Sequence, residues 1–171
     1  MLAKLDAVTS GPATAVYAVL TKFGNTTNSA TVVLDSSRRA IDIATTRFLD
    51  TGGQRYTCTI DTTTHAVTEC SNGYDVARIS DVGVTIEFYA AEAATRLRRD
   101  AAARLTDAVG GQDVIANQDA TCVTVTLDGG TAIYCVLANG MIAKLDDGDV
   151  LITLGLLVPN VDPAVLEPPT I

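Results

Sequence analysis

β-Branched and apolar residues alternate with polar residues through most of the chain from Thr14 onward. Five such segments in the first half are separated by turns rich in Gly, Asn, Asp and Ser: TAVYAVLTKF, SATVVLD, RRAIDIATT, QRYTCTID and AVTEC. This pattern is typical of strands joined by short turns, and it predicts an antiparallel strand meander over residues 14–89. Val82, Val84 and Ile86 alternate in the same way and favour a further strand or an extended linker.

Helical periodicity occurs in two places. Apolar residues recur every three positions between Leu2 and Val8, which predicts a short helix within residues 1–10. The Ala-rich segment 90–109 is followed by Gly110-Gly111 and predicts a longer helix that ends there. Its narrow apolar stripe consists of Leu97, Ala101, Leu105 and Ala108 or Val109. Two favourable pairs are expected on its flank, Glu92 with Arg96 and Asp100 with Arg104.

A second group of strands is predicted over residues 113–158, including two strands on either side of Asp146-Asp147-Gly148. Residues 159–171 hold four of the five prolines and predict an extended tail along the surface. Together these elements predict a single α+β domain over residues 1–171. Its antiparallel sheet of about seven to nine strands is expected to curve strongly into an incomplete β-barrel, with the long helix packed on the concave face.

Cys122 and Cys135 lie at equal distances from Asp128-Gly129, a dipeptide that favours a two-residue hairpin turn. A loop at these two residues places 122 directly opposite 135, on a non-hydrogen-bonded pair where side chains approach most closely. The sequence therefore predicts a disulfide across this hairpin.

Cys58 and Cys70 are symmetric about Thr64, as a hairpin with a three-residue loop at 63–65 requires. Two disulfides indicate an oxidising compartment. A zinc site is the alternative use of four cysteines, but the sequence has no C-x-x-C, and His65 is the only histidine.

Alternation in the second cysteine hairpin predicts one buried apolar face. Its members are Val123, Val125, Leu127, Ala132, Tyr134 and Val136. Two interpretations remain open: this face meets the helix in an ordinary core, or it lines a cavity for an acyl chain or a similar apolar ligand. In the second case the ligand-binding residues are Val123, Val125, Leu127, Tyr134 and Val136 of the hairpin with Leu97 and Leu105 of the helix.

The net charge of −8 argues against nucleic acid as a partner, because binding to phosphates requires a basic surface. Hydrophobic residues make up 47% of the chain, but aromatic residues only 5%, and Trp is absent. The apolar content is therefore mainly aliphatic. No run of apolar residues is long enough for a membrane-spanning helix.

Three groups of residues are candidates for catalysis, metal binding or ligand binding, and each has a plain structural alternative. His65 would have to serve in any Ser-His-Asp site, but it lies in a predicted polar turn. Asp146, Asp147 and Asp149 are possible Ca²⁺ ligands, but the EF-hand spacing with its distant Glu is missing and a hairpin turn explains them better. The helix carries the arginines Arg96, Arg98, Arg99 and Arg104, which could meet an anionic head group or form a solvated face. No catalytic residue, metal site or cofactor is predicted.

The order of elements resembles the LolA/LprG-like superfamily of bacterial cell-envelope lipoproteins. The residues that carry this resemblance are Arg38, Arg39 and Asp42 in SSRRAIDIA and the late hairpin C-x-T-x-T-x-D-G-G-x-x-x-Y-C, followed by NGMIAKL. The resemblance implies a half-open β-barrel covered by helices that binds or carries lipid. It transfers no catalytic or binding motif.

We therefore expect an exported protein of the bacterial cell envelope that binds a lipid or acyl chain between sheet and helix without catalysis. An export signal is expected to have preceded residue 1, and a lipid-modified cysteine there would give association with the membrane. The alternative is a structural or protein-interaction module with a filled core and no ligand.

Overall fold

The structure is a computed structural model, and it describes residues 2–5, 11–78, 91–102, 107–127 and 129–169. The helices are α1 Leu2–Leu5 and α2 Ala91–Ala102, and a 3₁₀ helix covers Pro163–Leu166. The strands are β1 Ala13–Thr21, β2 Thr26–Asp35, β3 Arg38–Ile43, β4 Thr46–Asp50, β5 Arg55–Ile60, β6 Val67–Asn72, β7 Ala108–Ile115, β8 Gln118–Leu127, β9 Gly130–Leu137, β10 Ile142–Asp146 and β11 Val150–Val158.

All eleven strands belong to one sheet with the order β6-β5-β4-β3-β2-β1-β11-β10-β9-β8-β7. Within the described part of the chain, strands contain more than half of the residues, and the α-helices contain 4 and 12 residues. The predicted α+β class, an incomplete barrel of seven to nine strands with a helix on its concave face, is therefore wrong. The fold is all-β, because nearly every segment pairs with its neighbour along the chain while the helical segments are short.

The chain divides into two compact units. One contains Met1–Thr9, Ala18–Thr27 and Glu87–Gly155, and the other contains Ser10–Tyr17, Asn28–Ile86 and Leu156–Ile171. We call them the α2 unit and the tail unit. Folding as a single domain over residues 1–171 stays a prediction.

In the tail unit, strands β3 and β4 are buried on both faces. Their register places Ala40 opposite Leu49, and β5 places Tyr56 opposite Leu49 on the same face. These residues form a hydrophobic cluster with Val33, Cys58 and the fully buried Leu166 of the 3₁₀ helix. The Pro-rich tail is therefore not simply an extended surface segment, since it contributes a core side chain.

Asp162 begins the 3₁₀ helix and explains how the tail turns inward. Its carboxylate accepts a hydrogen bond from the backbone N–H of Ala164 at 3.0 Å, and Pro163 follows directly after it. A capping side chain and a proline at the first helical position both favour a helix start. This local turn directs Leu166 into the cluster.

In the α2 unit, strands β8, β9 and β10 form the core. Its fully buried residues include Val125, Ala132, Val136, Ile142 and Ala143. Helix α1 is joined to β8 by a hydrogen bond of 2.8 Å from Lys4 Nζ to Thr121 Oγ1. Among the described residues, no helix is long and apolar enough to cross a membrane.

Both predicted disulfides are confirmed. Cys122 pairs with Cys135 and Cys58 with Cys70, each directly opposite its partner with a Cα–Cα distance of 4.0 Å. Leu127 lies opposite Gly130, as the predicted two-residue loop requires.

The predicted three-residue loop at 63–65 is wrong. Asp61 N–H donates to the carbonyl of Ala66, and the register shifts between Thr59 and Ile60, so that the loop contains four residues. The Asp61 carboxylate accepts from the backbone N–H groups of Thr63 and Thr64, which organises this turn. The cysteines still pair because the shift falls on the loop side of them.

Three further predicted boundaries differ from the structure or fall outside it. The segment RRAIDIATT was predicted as one strand, but it contains β3, the turn Ala44-Thr45 and the first residue of β4. The helix predicted over 90–109 is observed over Ala91–Ala102, and Ala108, Val109 and Gly110-Gly111 belong to strand β7. The possible strand at 82–86 lies outside the described residues.

Candidate functional site

A cavity of about 510 Å³ lies within the α2 unit. It is bordered by helix α2, the end of β8, the middle of β9 and the β10–β11 turn. The lining residues are Thr95, Arg96, Arg99, Asp100, Leu127, Tyr134, Asp147, Gly148 and Asp149. Most of them are polar or charged. Leu127 provides apolar surface, whereas Tyr134 is almost completely buried.

Helix α2 supplies its cavity residues from adjacent turns. Arg96 and Asp100 are four residues apart, as are Thr95 and Arg99, and this spacing places side chains on the same side of a helix. Leu97 is 5% exposed and anchors the helix in the core. The charged residues of the helix are thereby held beside the hairpin.

The phenol of Tyr134 forms a buried hydrogen bond at the cavity. Its hydroxyl donates to Asp100 Oδ2 at 2.6 Å, and the two residues are 1% and 8% exposed. Burial raises the pKa of Tyr134 well above its ordinary value, and the hydrogen bond to Asp100 and the charge of that carboxylate raise it further. Tyr134 therefore remains a neutral hydrogen-bond donor across the physiological pH range.

Asp147 connects helix α2 to the β10–β11 turn. Its Oδ2 accepts from Arg96 Nη1 at 2.7 Å, and its Oδ1 accepts from the backbone N–H groups of Asp149 and Val150, both at 2.8 Å. Both carboxylate oxygens are thus engaged. This arrangement fixes the arginine side chain against the cavity wall.

The possible Ca²⁺ ligands are used in another way. Asp146 pairs with Lys22 Nζ at 2.7 Å, and Asp147 is held by Arg96 and the turn. The described residues contain no group of three His, Cys, Asp or Glu side chains placed to hold a metal ion. The acidic stretch forms a tight turn, which was the alternative interpretation of its sequence.

Arg99 and Asp149 are the charged lining residues with the weakest internal pairing. The Arg99 side chain is 76% exposed, and its Nε lies 3.6 Å from Asp100 Oδ1. Asp149 is exposed at the turn, and no hydrogen bond or ion pair within the described residues holds its carboxylate. The cavity therefore offers one positive and one negative group to a ligand.

The predicted ligand-binding residues are only partly brought together. Leu127 and Tyr134 line the cavity, whereas Val125 and Val136 are fully buried and Val123 is half-buried. Leu97 is buried in the core, and Leu105 lies outside the described residues. Ligand binding by these seven residues stays a prediction.

Of the predicted arginine cluster, Arg96 and Arg99 line the cavity, Arg98 does not, and Arg104 lies outside the described residues. Asp100 was not predicted to be a cavity residue. The sequence did place Asp100 one turn after Arg96 on the same helix, which could have indicated that the two residues line the same cavity. The missing information was that Tyr134 lies opposite it.

The tail unit contains a second group of charged residues, centred on Asp42. Arg47 lies directly opposite Asp42 on the neighbouring strand and donates to both carboxylate oxygens, at 2.6 and 2.7 Å. The Asp42 side chain is 10% exposed and the Arg47 side chain 7%. His65, in the β5–β6 loop, places Nδ1 4.0 Å from Asp42 Oδ2 and is largely exposed. The carboxylate facing this histidine is thus already paired with an arginine.

Comparisons with known proteins add little to this description. No known family profile matches the sequence, and no curated protein matches it. The structure of PNGF-II in space group C2 is similar to this protein, with 6% sequence identity and a TM-score of 0.43. The similar region covers 92% of this chain but only 29% of the PNGF-II chain. A DUF1329 family protein from Desulfovibrio piger ATCC 29098 is similar over 97% of this chain and 92% of its own, with 9% identity and a TM-score of 0.35.

Both TM-scores are too low to carry an argument about function. The resemblance to the LolA/LprG-like superfamily therefore stays a prediction. The two disulfides indicate an oxidising, exported environment independently of any relative.

Proposed function

We propose that the protein is an exported binding protein, without catalysis, that holds a small amphiphilic molecule in the cavity beside helix α2. The observation that carries the proposal is the combination, in one cavity, of an apolar wall and two weakly paired charges of opposite sign. A volume of about 510 Å³ falls within the range of small-molecule sites.

Leu127 provides the apolar surface against which a hydrocarbon segment would lie, and the ring of Tyr134 is buried beside the cavity. The aliphatic stems of Arg96 and Arg99 extend this surface, because arginine buries its methylene groups while its head remains solvated. The apolar part is short compared with the buried hairpin face expected from the sequence. We therefore favour an amphiphile over a wholly apolar ligand.

Two polar contacts prepare the cavity for a polar group. Arg96 is held by Asp147, and Asp100 by Tyr134, so these charges are already compensated within the protein. Arg99 and Asp149 remain for the ligand. A zwitterionic head group, with an anion near Arg99 and a cation near Asp149, satisfies both.

The proposal can be tested by isothermal titration calorimetry with three probes, each kept below its critical micelle concentration. These probes are dodecylphosphocholine, dodecanoate and dodecyltrimethylammonium, which share an alkyl chain and differ in the charge of the head group. We expect saturable binding of one molecule per chain, tightest for dodecylphosphocholine.

Arg99→Ala and Arg98→Ala form a matched pair for this experiment. Arg98 is the neighbouring exposed arginine on the same helix and does not line the cavity. We expect Arg99→Ala to weaken binding of dodecylphosphocholine about tenfold, as expected for a charge-assisted contact, and Arg98→Ala to leave it unchanged. Absence of saturable binding of all three probes, or equal effects of the two substitutions, would contradict the proposal.

A second function, a protein-interaction module with a filled core, is favoured by a different observation. Val125, Ala132 and Val136, on the hairpin face expected to line an apolar cavity, are all fully buried. In that case the titrations give no binding, and function lies on an outer surface or a sheet edge.

A further inference from the structure

Strand β7 forms one end of the strand order that the described residues make. It pairs with β8 along its whole length, and within the described residues no strand pairs with its other side. Seven of its eight residues are exposed, and Val109 and Val114 are 64% and 65% exposed. Such an edge is a ready template for another strand.

The hairpin geometry shows which backbone groups face outward. Ala116-Asn117 joins β7 to β8 in a two-residue turn, so that Ile115 and Gln118 form the first hydrogen-bonded pair. Alternation then directs the N–H and C=O groups of Gly110, Gln112 and Val114 away from β8. The structure agrees, because the N–H of Val114 donates to the Asp113 carboxylate at 2.8 Å instead of to a strand.

The two end strands differ in how they are protected. β6 carries the exposed Glu69 and adjoins a register shift, and both features discourage edge pairing. β7 has an unbroken register over eight pairs and contains no Pro, Lys or Arg. Its single charge is Asp113.

We propose that the outer edge of β7 pairs antiparallel with β7 of a second copy of this chain, centred on Gln112. A two-fold axis between identical antiparallel strands lies perpendicular to the sheet. Residues directly opposite each other must then point to the same face in their own strand, which restricts the possible registers.

The register centred on Gln112 is the one that the side chains fit. It places Val109 opposite Ile115, Gly110 opposite Val114, and Gly111 opposite Asp113. Centring on Gly111 instead sets Val109 against the Asp113 carboxylate, and centring on Asp113 sets two carboxylates against each other, which destabilises a sheet. In the favoured register the two Gln112 amides face and can hydrogen-bond to one another.

A single strand edge forms a small interface, so the dimer is expected to be weak and dependent on concentration. Sedimentation equilibrium of the full chain over a range of concentrations measures it. We expect a reversible equilibrium between monomer and dimer.

Gln112 lies on the two-fold axis in this register, which gives a sharp test. Gln112→Lys and Gln112→Glu each place like charges directly opposite one another, and each should weaken the dimer about fivefold. Mixing the two variants places Lys opposite Glu and should restore association, as a heterodimer. Thermal unfolding of each variant shows whether it remains folded.

Gln118→Lys and Gln118→Glu are the matched controls. Gln118 is an exposed glutamine on β8, away from the outer edge, and its substitution changes the net charge equally. These controls should leave the dimer unchanged. A chain that remains monomeric at every concentration, or a dimer that responds equally at both positions, would overturn the inference.

Discussion

The contact of Asp100 with Tyr134 shows that the partner of a helical residue can lie far away in the sequence, where helical spacing cannot predict it. Helical spacing favours a pair between Asp100 and Arg104 of the same helix. In the structure the Asp100 carboxylate is buried and accepts a hydrogen bond from the hydroxyl of Tyr134, 34 positions along the chain. Helical spacing predicted Asp100 on the solvated flank of the helix, which is wrong because a strand meets this side of α2.

Tyr134→Phe should lower the stability of the protein, because the Asp100 carboxylate then loses a buried donor. A hydrogen bond to a charged group contributes about 1.5–3 kcal/mol to the free energy of unfolding. Denaturant unfolding near neutral pH measures this loss. The substitution retains the aromatic ring, so a change of more than that range would indicate that packing, and not the hydrogen bond, had been disturbed.

The raised pKa of Tyr134 also predicts a dependence on alkaline pH. A phenol whose pKa is higher in the folded protein than its usual value of about 10 stabilises the fold below that pH. The contribution is lost as the pH rises from that value towards the folded pKa. The difference in unfolding free energy between the native protein and Tyr134→Phe should therefore shrink above pH ~10; a constant difference would contradict the assignment.

Asp42 and Arg47 form a buried pair whose members depend on each other. Arg47→Leu leaves the Asp42 carboxylate buried and unpaired, and breaking such a pair costs about 3–5 kcal/mol. The double substitution Asp42→Val with Arg47→Leu removes both charges and should be clearly less destabilising than Arg47→Leu alone. Denaturant unfolding of both single variants and the double variant gives the coupling energy; additive losses would show that the pair is not coupled.

Among the strands and turns, the amino-acid composition of each turn decided whether its hairpin could be predicted from the sequence. Asp128-Gly129 predicts a two-residue hairpin turn, and the strand register that this turn implies is the observed one. Ala44-Thr45 and Ala116-Asn117 form turns of the same length, with Ala44 and Ala116 at φ of 50° and 52°. Alanine seldom adopts this left-handed conformation, so nothing in the sequence marked the separate strands β4 and β7.

Each disulfide closes a short loop, and removing either should have a similar effect. For a loop of about a dozen residues, the constraint on the unfolded chain is worth about 3 kcal/mol. Cys58→Ala with Cys70→Ala, and Cys122→Ala with Cys135→Ala, should each lower the free energy of unfolding by this order. A loss confined to one pair would show that the other is not formed in the protein.

The 3₁₀ helix gives a prediction about the C-terminal tail. Leu166 is fully buried in the cluster with Ala40 and Leu49, so Leu166→Ala should cost about 2–5 kcal/mol of stability. The nearby exposed Glu167→Ala, which leaves the cluster intact, provides the control. Equal stability of these two variants would contradict the docking of the tail.

At the scale of the whole molecule, local pattern predicted most strands but gave the wrong fold class. The Ala-rich segment suggested a helix over 90–109, whereas α2 is described over Ala91–Ala102 and the Gly-rich residues from Ala108 onward join the sheet. Glycine ends helices well but is also tolerated in an exposed end strand. The position of β11 beside β1 could not be predicted, because it depends on contacts between the ends of the chain.

The cavity beside α2 is the central claim about the whole molecule, and its location can be tested directly. Amide chemical shifts of the ¹⁵N-labelled protein can be followed while dodecylphosphocholine is added below its critical micelle concentration. Binding in this cavity predicts saturable shifts concentrated at residues 95–100, Leu127, Tyr134 and 147–149. Shifts that are absent, do not saturate, or centre on strands of the tail unit would contradict the account.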